Sequence, residues 1–329
     1  MQYLELASTE AKMSVLGFGC AALLGRSSRS ESLTALGTAF DAGITFYDTA
    51  RSYGYGGSEG VLGDFFAGRR AKVVICTKFG ILPASQGRWK QKIKPMARVV
   101  VKAIPALRRA AQQQAASQFL AGQFDLATLK SSFEISLREL RTDYVDMLIL
   151  HSAPASVLAQ EDLLEAMGRL VENGKVRIAG ISADLQVISS YFEKRQKPLT
   201  TAQFPLNLSL MNFVTETKKN ADLLLVANHP FGGPGGNAHA MIKVLRNNAD
   251  LPQTLREKFV SGDPQVLPEV VLNCILDGTG ISAVIPAMMR VPHIASNVKA
   301  VENCRFSSAE LALIRQQLAM VTNQIASGL

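Results

Sequence analysis

Eight short apolar segments, most of them followed by a helical pattern, constrain the fold of this chain more than any other feature. They are residues 13–17, 44–47, 73–76, 145–150, 176–181, 202–204, 223–227 and 281–285. Most are continuously apolar and do not alternate, as expected of strands that a parallel sheet buries on both faces. Repeated β-then-α units imply right-handed crossovers. Eight such units favour a closed (β/α)8 TIM barrel over a doubly wound sheet, which more often has about five to seven strands.

The helical patterns between these segments have recognisable ends. Ser30 and Asp125 each precede a stripe of apolar residues and are predicted to cap a helix, and Gly174 follows such a stripe. Ser308 is predicted to open the last helix. We therefore predict one α/β barrel domain over residues 1–329. The residues before Met13, among them Tyr3, Leu4 and Leu6, are expected to form a hairpin strand that caps the bottom of the barrel.

The positive charge of the chain belongs to one segment. The net charge is +8, and residues 81–123 contain eight basic residues and no acidic residue. The rest of the chain therefore sums to zero, which argues against nucleic-acid binding by the barrel itself. Residues 81–124 are predicted to be a long basic insertion after the third strand, where it would form a lid over the pocket mouth. One alternative is a surface insertion that packs Trp89 onto the barrel, and another is attachment to an anionic membrane.

The sequence also narrows the cellular setting. No apolar run approaches the roughly 18 residues that span a bilayer, and residues 1–30 lack the pattern of a signal peptide. The four cysteines are scattered without the spacing of metal ligands, so we expect reduced thiols, no metal site and a cytoplasmic protein.

Polar side chains lie at the ends of three consecutive predicted strands. Asp48 ends the second strand, Lys78 ends the third and His151 ends the fourth, while Tyr53 follows the second strand in a glycine-rich turn. Taken singly, the lysine is explained by snorkelling and the histidine by a place in the core. Together they should converge on one rim of the barrel, because the carboxyl ends of parallel barrel strands meet at one face.

A glycine pattern near the amino terminus has two interpretations. Residues 17–22 match the dinucleotide-binding pattern G-x-G-x-x-A after a strand. The pattern also requires an acidic residue at the end of the next strand, roughly 20 residues later, and Asp48 comes too late for this. A tight turn after a strand is the better interpretation.

In this order, these motifs resemble the aldo-keto reductase superfamily over most of the chain. The resemblance rests on GFG, GITFYDTARSYGYGGSE, ICTKFG, SLRELRTDYVDMLILH, GKVRIAGIS, NHPFGG and VIP. The residues within these motifs are similar to those of the bacterial and fungal aldose- or galactose-dehydrogenase-like branches of the superfamily. The resemblance implies a TIM barrel that transfers hydride between a nicotinamide cofactor and a carbonyl or sugar lactol.

The same resemblance implies roles for the converging residues. Tyr53 is expected to be the general acid that protonates the carbonyl oxygen, or the base in the reverse direction. Lys78, held by Asp48, is expected to stabilise the tyrosinate and lower the pKa of Tyr53. His151 is expected to hydrogen-bond the substrate oxygen.

Cofactor contacts are likewise implied by resemblance. The expected set is Ser182, Gln203, Asn228, Phe231, Gly232, Pro286, Met288, Arg290, His293 and Asn297. Two positions depart from the family pattern: Ala183 replaces an asparagine, and Asn228 replaces an aromatic residue that often stacks on the nicotinamide. The glycines at 232–236 form either a loop that approaches the pyrophosphate or a plain turn, and we favour the former.

Cofactor choice and function leave alternatives open. Arg290 is the one certain cation in residues 285–297, and if it holds a 2′-phosphate then NADP(H) is preferred over NAD(H). The leading hypothesis is an NADP(H)-dependent oxidoreductase that acts on a small carbonyl or alcohol as a monomer or weak homo-oligomer. The alternative is a regulatory or sensor protein that binds the cofactor but turns over little.

Overall fold

The structure is a computed structural model that describes residues 1–6, 11–25, 27–84, 119–233 and 237–327, with side chains described as far as residue 320. The strands are β1 (Tyr3–Leu4), β2 (Met13–Ser14), β3 (Gly17–Gly19), β4 (Phe46–Asp48), β5 (Val74–Phe79), β6 (Leu82–Pro83), β7 (Phe119–Leu120), β8 (Val145–His151), β9 (Val176–Ser182), β10 (Leu199–Pro205), β11 (Leu224–Asn228) and β12 (Ala283–Ile285). The helices are α1 (Arg29–Asp41), α2 (Ser58–Phe65), α3 (Leu126–Leu140), α4 (Glu161–Glu172), α5 (Leu185–Glu193), α6 (Val214–Lys219), α7 (Ala238–Asn247), α8 (Gln253–Glu257), α9 (Val266–Leu276), α10 (Val291–Glu302) and α11 (Ser308–Ser327).

Eight parallel strands form the barrel, in the order β3, β4, β5, β8, β9, β10, β11, β12. A parallel bridge between Leu16 and Val284, with a 2.8 Å hydrogen bond from the Val284 nitrogen to the Val15 oxygen, joins the last strand to the first. The predicted (β/α)8 barrel is confirmed, and its carboxyl-terminal face carries the residues that end these strands.

The predicted first strand was wrong by a few residues. Residues Met13 and Ser14 pair antiparallel with Leu4 and Tyr3, and the first barrel strand is Gly17–Gly19. Two of its three residues are glycines because the barrel is tight there: a Cβ on Gly17 would lie 2.7 Å from the ring of Phe46. Close packing, which a local pattern does not reveal, outweighs the low β-propensity of glycine.

The predicted hairpin below the barrel is confirmed. Met13 is fully buried with Phe46, Val74 and Met147, and Leu4 and Leu6 pack against this cluster. Burying these side chains stabilises the fold by about 25 cal/mol for each Å² of apolar surface removed from water. The cluster also closes the lower end of the barrel. The site is therefore restricted to the opposite end.

The helix starts are partly as predicted. Asp125 caps α3 by accepting from the Thr128 nitrogen, and α11 begins at Ser308 as expected. The first helix begins earlier than predicted, because Ser28 and not Ser30 is its cap. The Ser28 side chain accepts from the Glu31 nitrogen, and the Glu31 carboxylate accepts from the Ser28 nitrogen. This reciprocal capping box satisfies two otherwise free backbone donors.

The described ends of the 81–124 insertion form a short antiparallel hairpin. Strands β6 and β7 pair Leu82 with Leu120 and Pro83 with Phe119. Residues 85–118, including Trp89 and all eight basic residues of the insertion, lie outside the described part of the chain, so the lid remains a prediction. Among the described helices, none is both long enough and apolar enough to cross a membrane.

Candidate active site

A buried ion pair lies at the centre of the carboxyl-terminal face. Asp48 is the last residue of β4 and Lys78 is the fifth residue of the neighbouring β5, so both side chains enter the barrel at the same end. The Lys78 Nζ donates to Asp48 Oδ1 at 2.6 Å and to the Thr49 carbonyl oxygen at 2.9 Å. Lys78 is 1% exposed and Asp48 is 5% exposed. This shielding makes the electrostatic interaction far stronger than that of a surface pair.

Tyr53 and His151 complete the cluster. The Lys78 Nζ lies 4.9 Å from the centre of the Tyr53 ring, and the rings of Tyr53 and His151 meet edge to face with their centres 5.6 Å apart. The structure therefore brings together all four residues that the strand ends predicted to converge. A phenol, an ammonium group, a carboxylate and an imidazole share one small volume.

The turn that carries Tyr53 has an unusual backbone. Gly54, Tyr55 and Gly56 have φ of 60°, 57° and 86°, in the left-handed region that favours glycine. A Cβ on Gly54 would lie 2.4 Å from the Leu23 carbonyl oxygen, so glycine is required there. Tyr55 stacks on Phe119 of β7, which joins the turn to the base of the insertion.

Burial sets the protonation states of the cluster. It raises the pKa of Tyr53 to about 12, against an opposing effect of the Lys78 charge. Burial, followed by the Lys78 charge, lowers the pKa of His151 to about 3. For Lys78 burial alone would lower the pKa, but the charges of Asp48 and Tyr53 raise it above its ordinary value. The lowering of the tyrosine pKa by Lys78 is thus present but smaller than the effect of burial. At neutral pH the phenol is protonated, the imidazole neutral and the lysine charged.

Ser182 and Gln203 lie next to this cluster. In the strand register, Ser182 pairs with His151 on one side and with Gln203 on the other. The Gln203 Nε2 donates to Asp48 Oδ1 at 2.9 Å, and this bond crosses the barrel from β10 to β4. Ala183 follows Ser182 and is buried.

Two buried polar atoms at this face have no hydrogen-bond partner among the described residues. They are His151 Nδ1 and Asn228 Oδ1. Asn228 ends β11, pairs with Pro205 in the strand register and also accepts a backbone bond from the Leu206 nitrogen. A buried polar atom without a hydrogen-bond partner is costly in a finished fold.

The loop after β11 is only partly described. Phe231 packs against the core and is half-buried, and the Gly232 carbonyl accepts from the Asn207 amide at 2.8 Å. His229 adopts φ of 54°, a backbone conformation that is strained for a residue other than glycine. Residues 234–236, which include two of the four expected glycines, lie outside the described part of the chain.

The remaining expected cofactor residues follow β12. Pro286 is buried next to Gly19, whose added Cβ would lie 3.3 Å from the Pro286 carbonyl oxygen. Met288 is fully buried, and its sulfur accepts a hydrogen bond from the Asn297 amide nitrogen at 3.5 Å, so its side chain belongs to the core.

Arg290 and His293 are exposed at the start of α10, where Arg290 is the N-cap residue. The structure does not bring these two residues to the four-residue cluster. They lie instead at a helix amino terminus, where the helix dipole favours negative charge.

One buried network at the site was not expected from the sequence. Arg51 donates to Glu59 at 2.6 Å, and Thr77, the residue before Lys78, donates to the other Glu59 oxygen at 2.6 Å. The available signal was an arginine and a glutamate at either end of a glycine-rich turn. A sequence pattern does not show that both side chains are buried.

Comparison with known proteins gives the family. The sequence model described as "Aldo/keto reductase family" matches residues 15–319. The chain belongs to this family. Aldo-keto reductase YhdN of Bacillus subtilis is 28% identical over 215 residues, which are 63% of this chain and 54% of that relative. The match thus spans about half the length of that relative. Methylglyoxal reductase YeaE of Escherichia coli is 25% identical over 293 residues, which are 88% of this chain and 84% of the relative.

Solved structures of family members share the fold. The holo form of aldo-keto reductase AKR11C1 from Bacillus halodurans superposes with a TM-score of 0.68 at 21% identity, covering 97% of this chain and 96% of that one. An aldo-keto reductase from Klebsiella pneumoniae, solved in complex with NADPH, gives a TM-score of 0.63 at 21% identity with the same coverage. The barrel is therefore that of aldo-keto reductases.

Proposed function

We propose that this aldo-keto reductase is an NADP(H)-dependent oxidoreductase that interconverts a small carbonyl compound and the corresponding alcohol. The observation that carries the proposal is the convergence of Asp48, Tyr53, Lys78 and His151 at the mouth of the barrel, with Lys78 held at 2.6 Å by Asp48. A protonated phenol beside a buried ammonium group and a neutral imidazole is a proton-donating site.

The residues present fit a dinucleotide at this face. The unpartnered Asn228 Oδ1 leaves hydrogen-bonding capacity at the barrel mouth. Ser182, Gln203 and Asn228, with Phe231, would hold the nicotinamide end. Gly232 would approach the pyrophosphate, and the adenosine end would be held by Pro286, the Met288 backbone, Arg290, His293 and Asn297. When bound, the reduced cofactor supplies a hydride to the carbonyl carbon.

The protein residues supply the proton that balances this hydride. The Tyr53 hydroxyl donates its proton to the carbonyl oxygen, so that the carbonyl becomes an alcohol. Neutral His151 donates a second hydrogen bond to the same oxygen from Nε2. We assign its proton there because Nδ1 is buried without a partner, and a buried N–H without an acceptor would be costly. The Lys78 charge stabilises the tyrosinate that remains, and Asp48 and the Thr49 carbonyl hold the ammonium group in place.

Two features support NADP(H) over NAD(H). Arg290 and His293 lie at the amino terminus of α10, a 12-residue helix whose dipole also favours an anion. Arginine holds phosphate oxygens with a planar pair of donors, which suits a 2′-phosphate. The structural relative from Klebsiella pneumoniae was solved with NADPH.

A second candidate is a protein that binds the cofactor and turns over little. Ala183 and Asn228 favour it, because both depart from the family pattern at the nicotinamide end. The intact four-residue cluster favours the enzyme.

One experiment separates the two candidates. NADPH binding is followed by quenching of protein fluorescence, and turnover by loss of absorbance at 340 nm with methylglyoxal and 4-nitrobenzaldehyde as substrates. We expect both binding and turnover. Binding without turnover on any carbonyl of a wider panel would support the sensor, and absence of NADPH and NADH binding would refute both candidates.

A further inference from the structure

A buried ion pair closes the turn that carries Tyr53. Arg51 precedes Tyr53 by two residues and Glu59 follows it by six, and their side chains meet at 2.6 Å. The Arg51 side chain is 7% exposed and that of Glu59 is fully buried. The pair therefore joins the two ends of the turn beneath the site.

The same carboxylate connects the turn to the strand that bears Lys78. The Thr77 hydroxyl donates to Glu59 Oε1 at 2.6 Å, while Arg51 occupies Oε2. The Arg51 backbone nitrogen also donates a long hydrogen bond, of 3.5 Å, to the Lys78 carbonyl oxygen. One buried glutamate thus links the segment before Tyr53, the segment after it and the residue next to Lys78.

The turn needs such a restraint. Three consecutive residues, Gly54, Tyr55 and Gly56, have positive φ, and a backbone of this kind persists only where its surroundings hold it. Small displacements of a catalytic group, of the order of 1 Å, can reduce turnover about 100-fold.

We propose that Arg51, Glu59 and Thr77 form a positioning unit that fixes the Tyr53 phenol relative to the Lys78 ammonium group. This inference rests on the function proposed above, since it assigns these residues an effect on proton transfer. None of the three is a catalytic residue, because each acts through the backbone of Tyr53 or Lys78.

The chemistry of the unit suits positioning better than it suits stability. Burying an ion pair costs both partners their hydration, and replacing such pairs by apolar residues is often neutral or stabilising. Arg51 Nε, moreover, is buried without a hydrogen-bond partner among the described residues. A directional pair with a third tether fixes geometry in a way that apolar contacts do not.

The test compares Glu59→Gln with a matched variant at the other end of the barrel. Asp146 is also a buried carboxylate, which accepts from Arg70 at 2.6 Å and from the Ile75 nitrogen at 2.8 Å. It lies near the start of β8, away from the rim with Tyr53. Asp146→Asn therefore removes a similar buried pair without touching the site.

We expect Glu59→Gln to lower kcat for methylglyoxal reduction by about tenfold or more. The KM for methylglyoxal and the Kd for NADPH should stay within about twofold of the wild-type values, because the unit touches neither ligand. Asp146→Asn should keep most of the wild-type kcat even if its Tm falls as far as that of Glu59→Gln.

A second pair of variants covers the case in which Glu59→Gln does not fold. Thr77→Val removes only the hydroxyl tether and should lower kcat about threefold to tenfold. Thr77→Ser keeps the hydroxyl and should retain the wild-type kcat, although it loses a buried methyl group.

Wild-type kcat in Glu59→Gln or Thr77→Val would overturn the positioning role. So would an equal loss of kcat in Asp146→Asn, or in Thr77→Ser, since the effect would then follow stability and not geometry. If the wild-type protein binds NADPH but reduces no carbonyl compound, the proposed function itself has failed, and the positioning role fails with it.

Discussion

Removing one hydroxyl group, in Tyr53→Phe, should abolish most turnover while leaving the fold and the cofactor affinity intact. The phenyl ring would keep its edge-to-face contact with His151, at 5.6 Å between centres, and its place 4.9 Å from the Lys78 Nζ. The substitution therefore removes the transferable proton and little else.

The expected loss follows from the role of that proton. The pKa of Tyr53 is about 12, so at pH 7 only about one phenol in 10⁵ is ionised and nearly every molecule carries the proton. General acid catalysis by a positioned group contributes about 100-fold to 10,000-fold. This corresponds to about 2.7 to 5.4 kcal/mol of transition-state stabilisation. We expect kcat for carbonyl reduction to fall by at least about 100-fold.

Single-turnover absorbance at 340 nm, with protein in excess over NADPH, measures this loss directly. Tyr55→Phe is the matched control, because Tyr55 lies two residues further along the same turn and its ring stacks on Phe119. That variant should keep kcat within a few-fold of wild type. Fluorescence titration should give equal NADPH affinity for all three proteins.

Near-normal turnover in Tyr53→Phe would refute the assignment of the acid. Equal losses in Tyr53→Phe and Tyr55→Phe would show that the turn as a whole matters and not the Tyr53 hydroxyl.

Three further predictions follow from the charges at the site. In the reduction direction kcat should be nearly constant from about pH 5 to 9, because the pKa values of His151 and Tyr53 lie near 3 and 12. A steep change of kcat near pH 6.5 in a pH–rate profile would contradict these protonation states. His151 should also make stability depend on pH: below its ordinary pKa of 6.5 the unfolded chain binds a proton that the folded chain does not bind until about pH 3, so stability is complete above pH 6.5 and falls as the pH is lowered. By pH 4.5 His151 should lower the free energy of unfolding by about 2.7 kcal/mol relative to pH 7. Denaturant unfolding at pH 7 and 4.5 should therefore show that His151→Asn loses less stability than the wild type by about this amount. An identical loss in the two proteins would mean that other groups cause the acid sensitivity. Arg290→Ala should weaken NADPH binding about tenfold and NADH binding little, whereas Lys299→Ala, in the last turn of the same helix, should change neither; equal weakening of both cofactors would mean that the 2′-phosphate is held elsewhere.

The barrel could be predicted because most of its strands have a recognisable pattern in the local sequence. Seven of the eight apolar segments coincide with barrel strands to within a few residues, since each is buried on both faces and bounded by helix signals. The first strand could not be located, because Gly17 and Gly19 are selected by the closeness of Phe46 and Ile285 and not by β-propensity. That closeness exists only once the barrel has closed.

The four central residues of the site could be predicted for a related reason. Asp48 and His151 end their strands and Lys78 lies one residue before the end of its strand, so barrel topology alone brings them to one face. The bond from Gln203 to Asp48 could not, because it joins strands on opposite sides of the barrel. The burial of Arg51 and Glu59 was equally hidden, since charged residues beside glycines usually indicate an exposed turn.

The most direct test of the proposed chemistry is a crystal structure of the protein with NADPH bound. The four-residue cluster predicts that the nicotinamide ring lies over the barrel mouth, with room for one carbonyl group between its C4 atom and the Tyr53 hydroxyl, and with Asn228 and Ser182 at its edge. A nicotinamide ring bound away from Tyr53 and Lys78, with no path for a substrate between them, would contradict it.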